Sequence, residues 1–127
     1  MDVNILKGKI IRVHDGDTPI VQICWLDVFK VCRVRMASMN APELSNPDGS
    51  GIKARDYLAS ILTVGLEVLV QCYIVDNYGR PLGTIYLSQK ATKSVNQMMI
   101  DSGNAVPMGL KTQIRKIKKE LEYFNVN

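Results

Sequence analysis

Cysteine is scarce in this 127-residue chain: Cys24, Cys32 and Cys72 lie in separate apolar runs and form no C-x-x-C pair. That spacing argues against a thiolate zinc site, and the three read as small buried hydrophobes of a reducing compartment. Histidine is scarcer still, with His14 alone at a strand end, where a structural role outweighs that of a ligand or acid. Long hydrophobic runs are missing. No stretch approaches the roughly 20 apolar residues that span a bilayer, and Met1 to Lys9 lacks the apolar run of about 7 to 15 residues of a signal peptide. The expectation is a soluble cytoplasmic or otherwise intracellular protein with no membrane partner, secreted only if a leader was removed. Internal repeats and low-complexity segments are also absent.

What is present suits one domain over residues 1–127, since a hydrophobic content of 46% is enough for an ordinary core. A formal charge of +4 favours an anionic partner such as nucleic acid or a phosphorylated ligand.

Along the chain, Ile5 to Val13 alternates as a strand with one wet face, and Asp15-Gly16-Asp17-Thr18 ends it with turn chemistry. A second strand is expected from Pro19 to Trp25 and a third from Phe29 to Met36, joined by a short hairpin. In the third, Cys32, Val34 and Met36 share one face, so Arg35 points away from the core. After the stiff turn Asn40-Ala41-Pro42-Glu43, the polar loop Leu44 to Ser50 reads as a mobile flap. Ile52 to Thr63 carries Ala54, Tyr57, Leu58, Ile61 and Leu62 at helical spacing, with Gly65 as a stop. Strands follow at Glu67 to Val75, with Val68, Val70, Cys72 and Ile74 inward, and at Leu82 to Leu87. Ser94-x-x-Gln97 offers a capping box for a helix with Val95, Met98, Met99 and Ser102 in a stripe, ended by Gly103. A last helix, Leu110 to Phe124, puts Leu110, Ile114, Ile117, Leu121 and Phe124 on one side. The fold class is mainly β with helices (α+β). Its expected form is a five-stranded barrel of the OB type with three helices, closed to leave few edges.

Three stretches concentrate chemistry: Asp15 to Thr18, Arg35 to Glu43, and Asp76-Asn77-Tyr78-Gly79-Arg80. Cleaving a phosphodiester needs a positioned nucleophile, a cationic clamp on the phosphoryl oxygens and an in-line path for the leaving group. Asp17, the amide oxygen of Asn40 and the backbone carbonyl of Ala41 are hard oxygen donors of the kind Ca²⁺ prefers. Glu43 is placed to act as a base, and the forked guanidiniums of Arg35 and Arg80 suit phosphate. Each has an ordinary reading too: turn formers at Asp15 and Asp17, a surface ion pair at Arg35, a packed rim at Tyr78. The basic run Lys111, Arg115, Lys116, Lys118 and Lys119 suits a solvated helix face as well as a phosphate track.

Taken together, D-G-D-T, R-x-x-x-x-[ND]-A-P-E and D-x-Y-G-R, in this order and spacing, resemble the staphylococcal nuclease (thermonuclease) family from about Lys7 to Pro107. The S-V-N-Q-M-M-I-D-S-G-N-A stretch looks like that family's second helix. The resemblance implies an OB-fold nuclease, Ca²⁺-dependent in its best-known form, although another divalent metal is possible. Its expected activity is hydrolysis of DNA and RNA with little sequence preference, leaving 3′-phosphates. It implies that Asp17, Asn40 and Ala41 stand at metal positions, that Glu43 is the general base, and that Arg35 and Arg80 hold phosphate. Tyr78 matches an aromatic at the nucleotide pocket. A monomer acting on single-stranded DNA or RNA is expected, with Lys111 and Arg115 on the strand.

The chain departs from the family pattern twice. Asn40 stands where a second aspartate is usual, which removes a ligand charge. Met108-Gly109-Leu110 stands where base-stacking tyrosines often follow Pro107, which weakens the grip on a single nucleotide. The alternative reading is therefore a catalytically weak or inactive nucleic-acid-binding module of the same fold, with a protein-binding OB domain behind it.

Overall fold

A computed structural model describes residues 4–124. Strands β1 (Asn4–Asp15), β2 (Thr18–Trp25) and β3 (Val28–Arg33) form an antiparallel meander, with Ile10 opposite Val21 and Val21 opposite Cys32. Leu26 and Asp27 turn the β2–β3 hairpin with both φ angles positive, at 51° and 63°, which matches the twist of the flanking strands.

The expected third strand is broken. Its continuation, β4 (Arg35–Met36), leaves the ladder with β2 at Val34 and pairs in parallel with Leu82 and Gly83 of another strand. The break has a physical cause. The Val34 and Met36 amides donate to the carbonyls of Pro19 and Asp17 at 3.0 and 2.9 Å, so one side of the segment still holds the start of β2 while the other is claimed by its new neighbour. After β5 (Met39–Asn40) and helix α1 (Ser50–Ile61) come β6 (Glu67–Val75) and that neighbour, β7 (Pro81–Tyr86). The sheet order is β3-β2-β1-β6-β7-β4, and its two ends, β3 and β4, are halves of one bent strand. The sheet thereby curls into the five-stranded OB-type arrangement. Bulges in β1, between Ile10 and Arg12 and between Val13 and Asp15, and in β6, between Cys72 and Ile74, add the local twist that curling needs.

Helix α2 (Val95–Asp101) starts at Ser94, whose Oγ accepts the Gln97 amide at 3.0 Å. Only half of the expected capping box forms, because the Gln97 side chain donates to Asp101 instead of reaching back. In the expected stripe Val95 and Met99 are buried but Ser102 is exposed, and Asn96 is buried in its place. A short β8 (Val106–Pro107) pairs with β5, a two-residue ribbon too brief to show a period in sequence. Helix α3 (Leu110–Phe124) has the expected bounds, yet Leu110, Ile114, Ile117 and Leu121 are only half-buried; the Phe124 side chain lies outside the described residues.

The core lies inside the curled sheet and under α1. Ile10, Val21, Val34, Met36, Val70 and Ile85 meet Ala54 and Leu58 of the helix there. Among the cysteines only Cys32 is buried. Cys24, on the outer side of β2 next to inward Ile23, and Cys72, at the β6 bulge, are half-buried free thiols.

Candidate active site

Two close approaches set the backbone of the site. A Cβ on Gly16 would lie 2.8 Å from the Cβ atoms of both Ala41 and Ala54, so only glycine lets the β1–β2 turn press against the segment before Pro42 and against α1. A Cβ on Gly51 would overlap the Glu43 carbonyl oxygen, so the first turn of α1 sits directly on the backbone of Glu43.

Inside this frame Asp17 becomes a hub. The Asp17 amide donates to Asp15 Oδ1 at 3.1 Å, and Asp17 Oδ1 accepts the Thr18 hydroxyl at 3.1 Å. Asp17 Oδ2 accepts the Ala41 amide at 3.1 Å and lies 3.5 Å from Nη1 of Arg35. Burial pushes the Asp17 carboxyl above the ordinary range against the pull of Arg35, and the neighbouring Asp15 adds to the rise. Asp15 moves the other way. Burial opposes its ionisation, but hydrogen bonds from Asp17 and Thr18 outweigh that and hold it low.

Arg35 faces away from the core yet is not a free surface cation. Nη1 donates to the carbonyls of Met36 and Met39 at 2.9 and 3.2 Å, and Nη2 donates to Asn40 Oδ1 at 3.2 Å. Its Nε and the second Nη2 hydrogen remain for a ligand. The structure thus brings Asp17, Arg35, Asn40 and Ala41 together. Glu43 follows two residues on, exposed, and its carboxylate makes no hydrogen bond or ion pair with any described residue. The expected flap after it is instead a series of bonded turns: the Asn46 amide donates to Glu43, the Gly49 amide to Asn46, and the Ser50 amide to Asp48.

Arg80 and Tyr78 form a separate group. Buried Asp76 accepts the amides of Tyr78 and Arg80 through Oδ1, each at 2.9 Å, and Arg80 Nε through Oδ2 at 2.7 Å. The Arg80 guanidinium then lies 5.2 Å from the Tyr78 ring centroid. Register connects the groups: Arg35 is opposite Leu82, so Arg80 stands two places back along the neighbouring strand. Among the described residues no hydrogen bond or ion pair joins Arg80 to the Asp17 cluster. Lys111 and Arg115 lie exposed on α3, whose link to the site is Gln113: its Oε1 accepts the Ser38 amide, just before β5, at 2.7 Å.

Sequence reasoning placed Asp76 in a chemistry-bearing stretch without its role of orienting Arg80, and passed over two further supports, Gln113 and Asn96. Asn96 Oδ1 accepts the Ile85 amide at 2.9 Å, while Nδ2 donates to the carbonyls of Ala37 and Gly83 at 2.8 and 3.1 Å. The signal for Asp76 was present, since an aspartate that opens a turn and precedes an arginine by four residues suits both roles.

The donors suit a hard divalent cation. One guanidinium faces both oxygens, Asp17 Oδ2 at Nη1 and Asn40 Oδ1 at Nη2, and oxygen donors of this kind are those a hard cation takes. No group of three or more His, Cys, Asp or Glu side chains with metal-binding geometry occurs among the described residues, so amide and backbone oxygens would have to complete the set.

Sequence comparison extends these observations. The profile of the staphylococcal nuclease homologue family matches residues 33–126. A micrococcal nuclease of Shigella flexneri is 36% identical over 108 residues, covering 78% of this chain and 56% of that protein. Protein ParB of Escherichia coli is 33% identical over 106 residues, covering 79% of this chain and 56% of its own length. The chain therefore spans about half the length of these relatives. With Asp17, Arg35, Asn40 and Ala41 brought together, Glu43 two residues on, and most of its length matched, the chain belongs to the staphylococcal nuclease homologue family.

Proposed function

We propose that this chain is a divalent-metal-dependent nuclease that hydrolyses phosphodiester bonds of DNA and RNA. The observation that carries the reading is the convergence of Asp17 Oδ2 and Asn40 Oδ1 on one cationic group, with the unpartnered Glu43 carboxylate close by in the chain. A Ca²⁺ ion held by Asp17, the Asn40 carboxamide and the Ala41 carbonyl would supply Lewis-acid stabilisation of the charge that grows on phosphorus. Glu43 takes a proton from the water that attacks the phosphate. Arg35, through its remaining N–H groups, and Arg80, held rigid by Asp76, neutralise the charge on the non-bridging oxygens. The bond to the 5′ oxygen breaks, that oxygen takes up a proton from solvent water to leave as a 5′-hydroxyl, and the other product keeps a 3′-phosphate. Because the grip is on phosphate, discrimination between bases is small.

The exposed Tyr78 ring and the cations of α3 at Lys111 and Arg115 suit a single strand, with the protein acting as a monomer. Asn40 favours a second reading, a binding module whose catalysis has lapsed, because it removes a ligand charge. Hydrolysis of denatured DNA and RNA separates the two. Cleavage that requires millimolar Ca²⁺ and collapses in Glu43→Gln and Arg80→Ala supports the enzyme; metal-independent binding with no turnover supports the module.

A further inference from the structure

We infer that Arg33 is a second phosphate-holding residue. On this assignment the cleft between β3 and the Tyr78-to-Arg80 turn carries the phosphodiester next to the one held at Arg35. The inference rests on the nuclease reading for its substrate class, though not for its test. The cleft has a volume of about 440 Å³ and is lined by Lys30, Val31, Arg33, Tyr78 and Arg80, together with Cys32 and Gly79. Three cations line it and no carboxylate does. Asp76 takes only the Nε of Arg80, so the outer nitrogens make no hydrogen bond with any described residue. Arg33 is exposed and makes no hydrogen bond or ion pair with any described residue. Arg80 is offset by Asp76, but Lys30 and Arg33 have no ion-pair partner among the described residues. Like charges gathered in one cleft are stabilised by an anion.

Geometry selects the anion. Arg33 and Arg35 are two residues apart on one bent strand, about 6.6 Å along an extended chain. This is the scale of one nucleotide step in an extended single strand. Arg33 closes β3 just before the bend, Arg80 stands just ahead of β7, and both line the cleft, so two guanidinium side chains flank one groove. Tyr78, 71% exposed and with Arg80 packed over its ring, offers a flat platform on which a base can lie. An acidic peptide would meet the cations but has no planar group at every step to use that ring. The substrate is therefore an oligonucleotide of at least two phosphodiesters, and the cleft makes up part of the grip lost with the missing tyrosines after Pro107.

The test uses the full chain in chelator, so that strands bind without being cut. Binding of a fluorescent eight-residue deoxythymidine strand is followed by anisotropy at several salt concentrations for the native protein, for Arg33→Gln, and for Lys90→Gln as an exposed control outside the cleft. Losing one phosphate contact lowers the slope of log K against log salt by about 0.7. Arg33→Gln is expected to show that fall and binding weakened roughly tenfold at low salt, with Lys90→Gln unchanged. With Ca²⁺ added, Arg33→Gln is expected to lower kcat/KM on the eight-residue strand while sparing a mononucleotide nitrophenyl diester, which has a single phosphodiester. An unchanged salt slope overturns the assignment. So does an equal loss on both substrates, which would place Arg33 at the scissile phosphate, or equally tight, Arg33-dependent binding of polyglutamate. If the native chain cuts nothing, the nuclease reading fails, while the slope still decides the role of Arg33.

Discussion

Arg35 donates to the Asn40 carboxamide across 3.2 Å, and that contact leaves Asp17 as the nearest carboxylate to the same guanidinium. A carboxylate at position 40 would add a full charge beside any cation held there. A unit charge pair at about 4 Å is worth on the order of 4 kcal/mol at an effective dielectric of 20. Some of that gain goes to tighter pairing with Arg35. Asn40→Asp should therefore raise Ca²⁺ affinity by about tenfold and by at most about a thousandfold, as read by calorimetry. An unchanged affinity would remove Asn40 from the ligand set.

The paired turn carboxylates titrate in opposite directions in metal-free protein. Asp17 lies above its ordinary value of 3.8, so its contribution to stability is present below that value and is lost as pH rises through the raised one. Asp15 lies below 3.8; its contribution is present above that value and is lost as pH falls through the lowered one. An NMR carboxyl titration in chelator should show inflections on either side of 3.8. Asp15→Asn should bring the Asp17 inflection down, because the hydrogen bond and the charge of Asp15 both raise it.

Gly16→Ala tests the frame. The new methyl must displace Ala41 or Ala54, each 2.8 Å away, and overpacking of this kind costs about 1 to 3 kcal/mol. The expected result is a lower denaturation midpoint, together with a loss of Ca²⁺ affinity as the Ala41 amide is moved off Asp17. Full stability with full affinity would show that the approach is looser than the geometry describes.

Asn96→Ala removes a buried side chain that satisfies one amide and two carbonyls. Leaving such groups unpaired costs about 1 to 3 kcal/mol, with a small cavity added. Urea denaturation should show a loss of about 3 kcal/mol. Asn96→Asp, which keeps the acceptor but sets a carboxylate oxygen against the Ala37 and Gly83 carbonyls, should recover none of it near neutral pH.

Much of this was legible in the chain. Period-two alternation located the long strands, period 3.6 located α1 and α3, D-G-D-T and N-A-P-E marked residues that meet at Arg35, and D-N-Y-G-R marked the separate Asp76–Arg80 group. What escaped shares a cause. The break at Val34 comes from competition between Pro19 and Leu82 for one segment, and the β5–β8 ribbon depends on residues more than sixty positions apart. Neither partner is visible locally. Asn96 and Gln113 were passed over because polar residues on a helix read as solvent-facing, and only the folded chain shows which carbonyls and amides they meet. Arg35 was read as a phosphate-binding fork, with a surface ion pair as its ordinary alternative, and its bonds to Met36, Met39 and Asn40 escaped because strand alternation gives direction but not partners.

The bent strand also governs when the centre can exist. Asp17, Arg35, Asn40 and Glu43 all precede α1, so during synthesis they emerge before the segments that place them. Yet Arg35 reaches its place only when Leu82 and Gly83 arrive to pair with β4, Ala37 is fastened by Asn96, and Ser38 is fastened by Gln113. Closing such long loops is entropically costly and slow. A growing chain on the ribosome therefore holds all four residues but no assembled centre. Assembly of the centre waits on α3, the last of these partners to be made, and residues that are neighbours in sequence become a site only through segments that follow them.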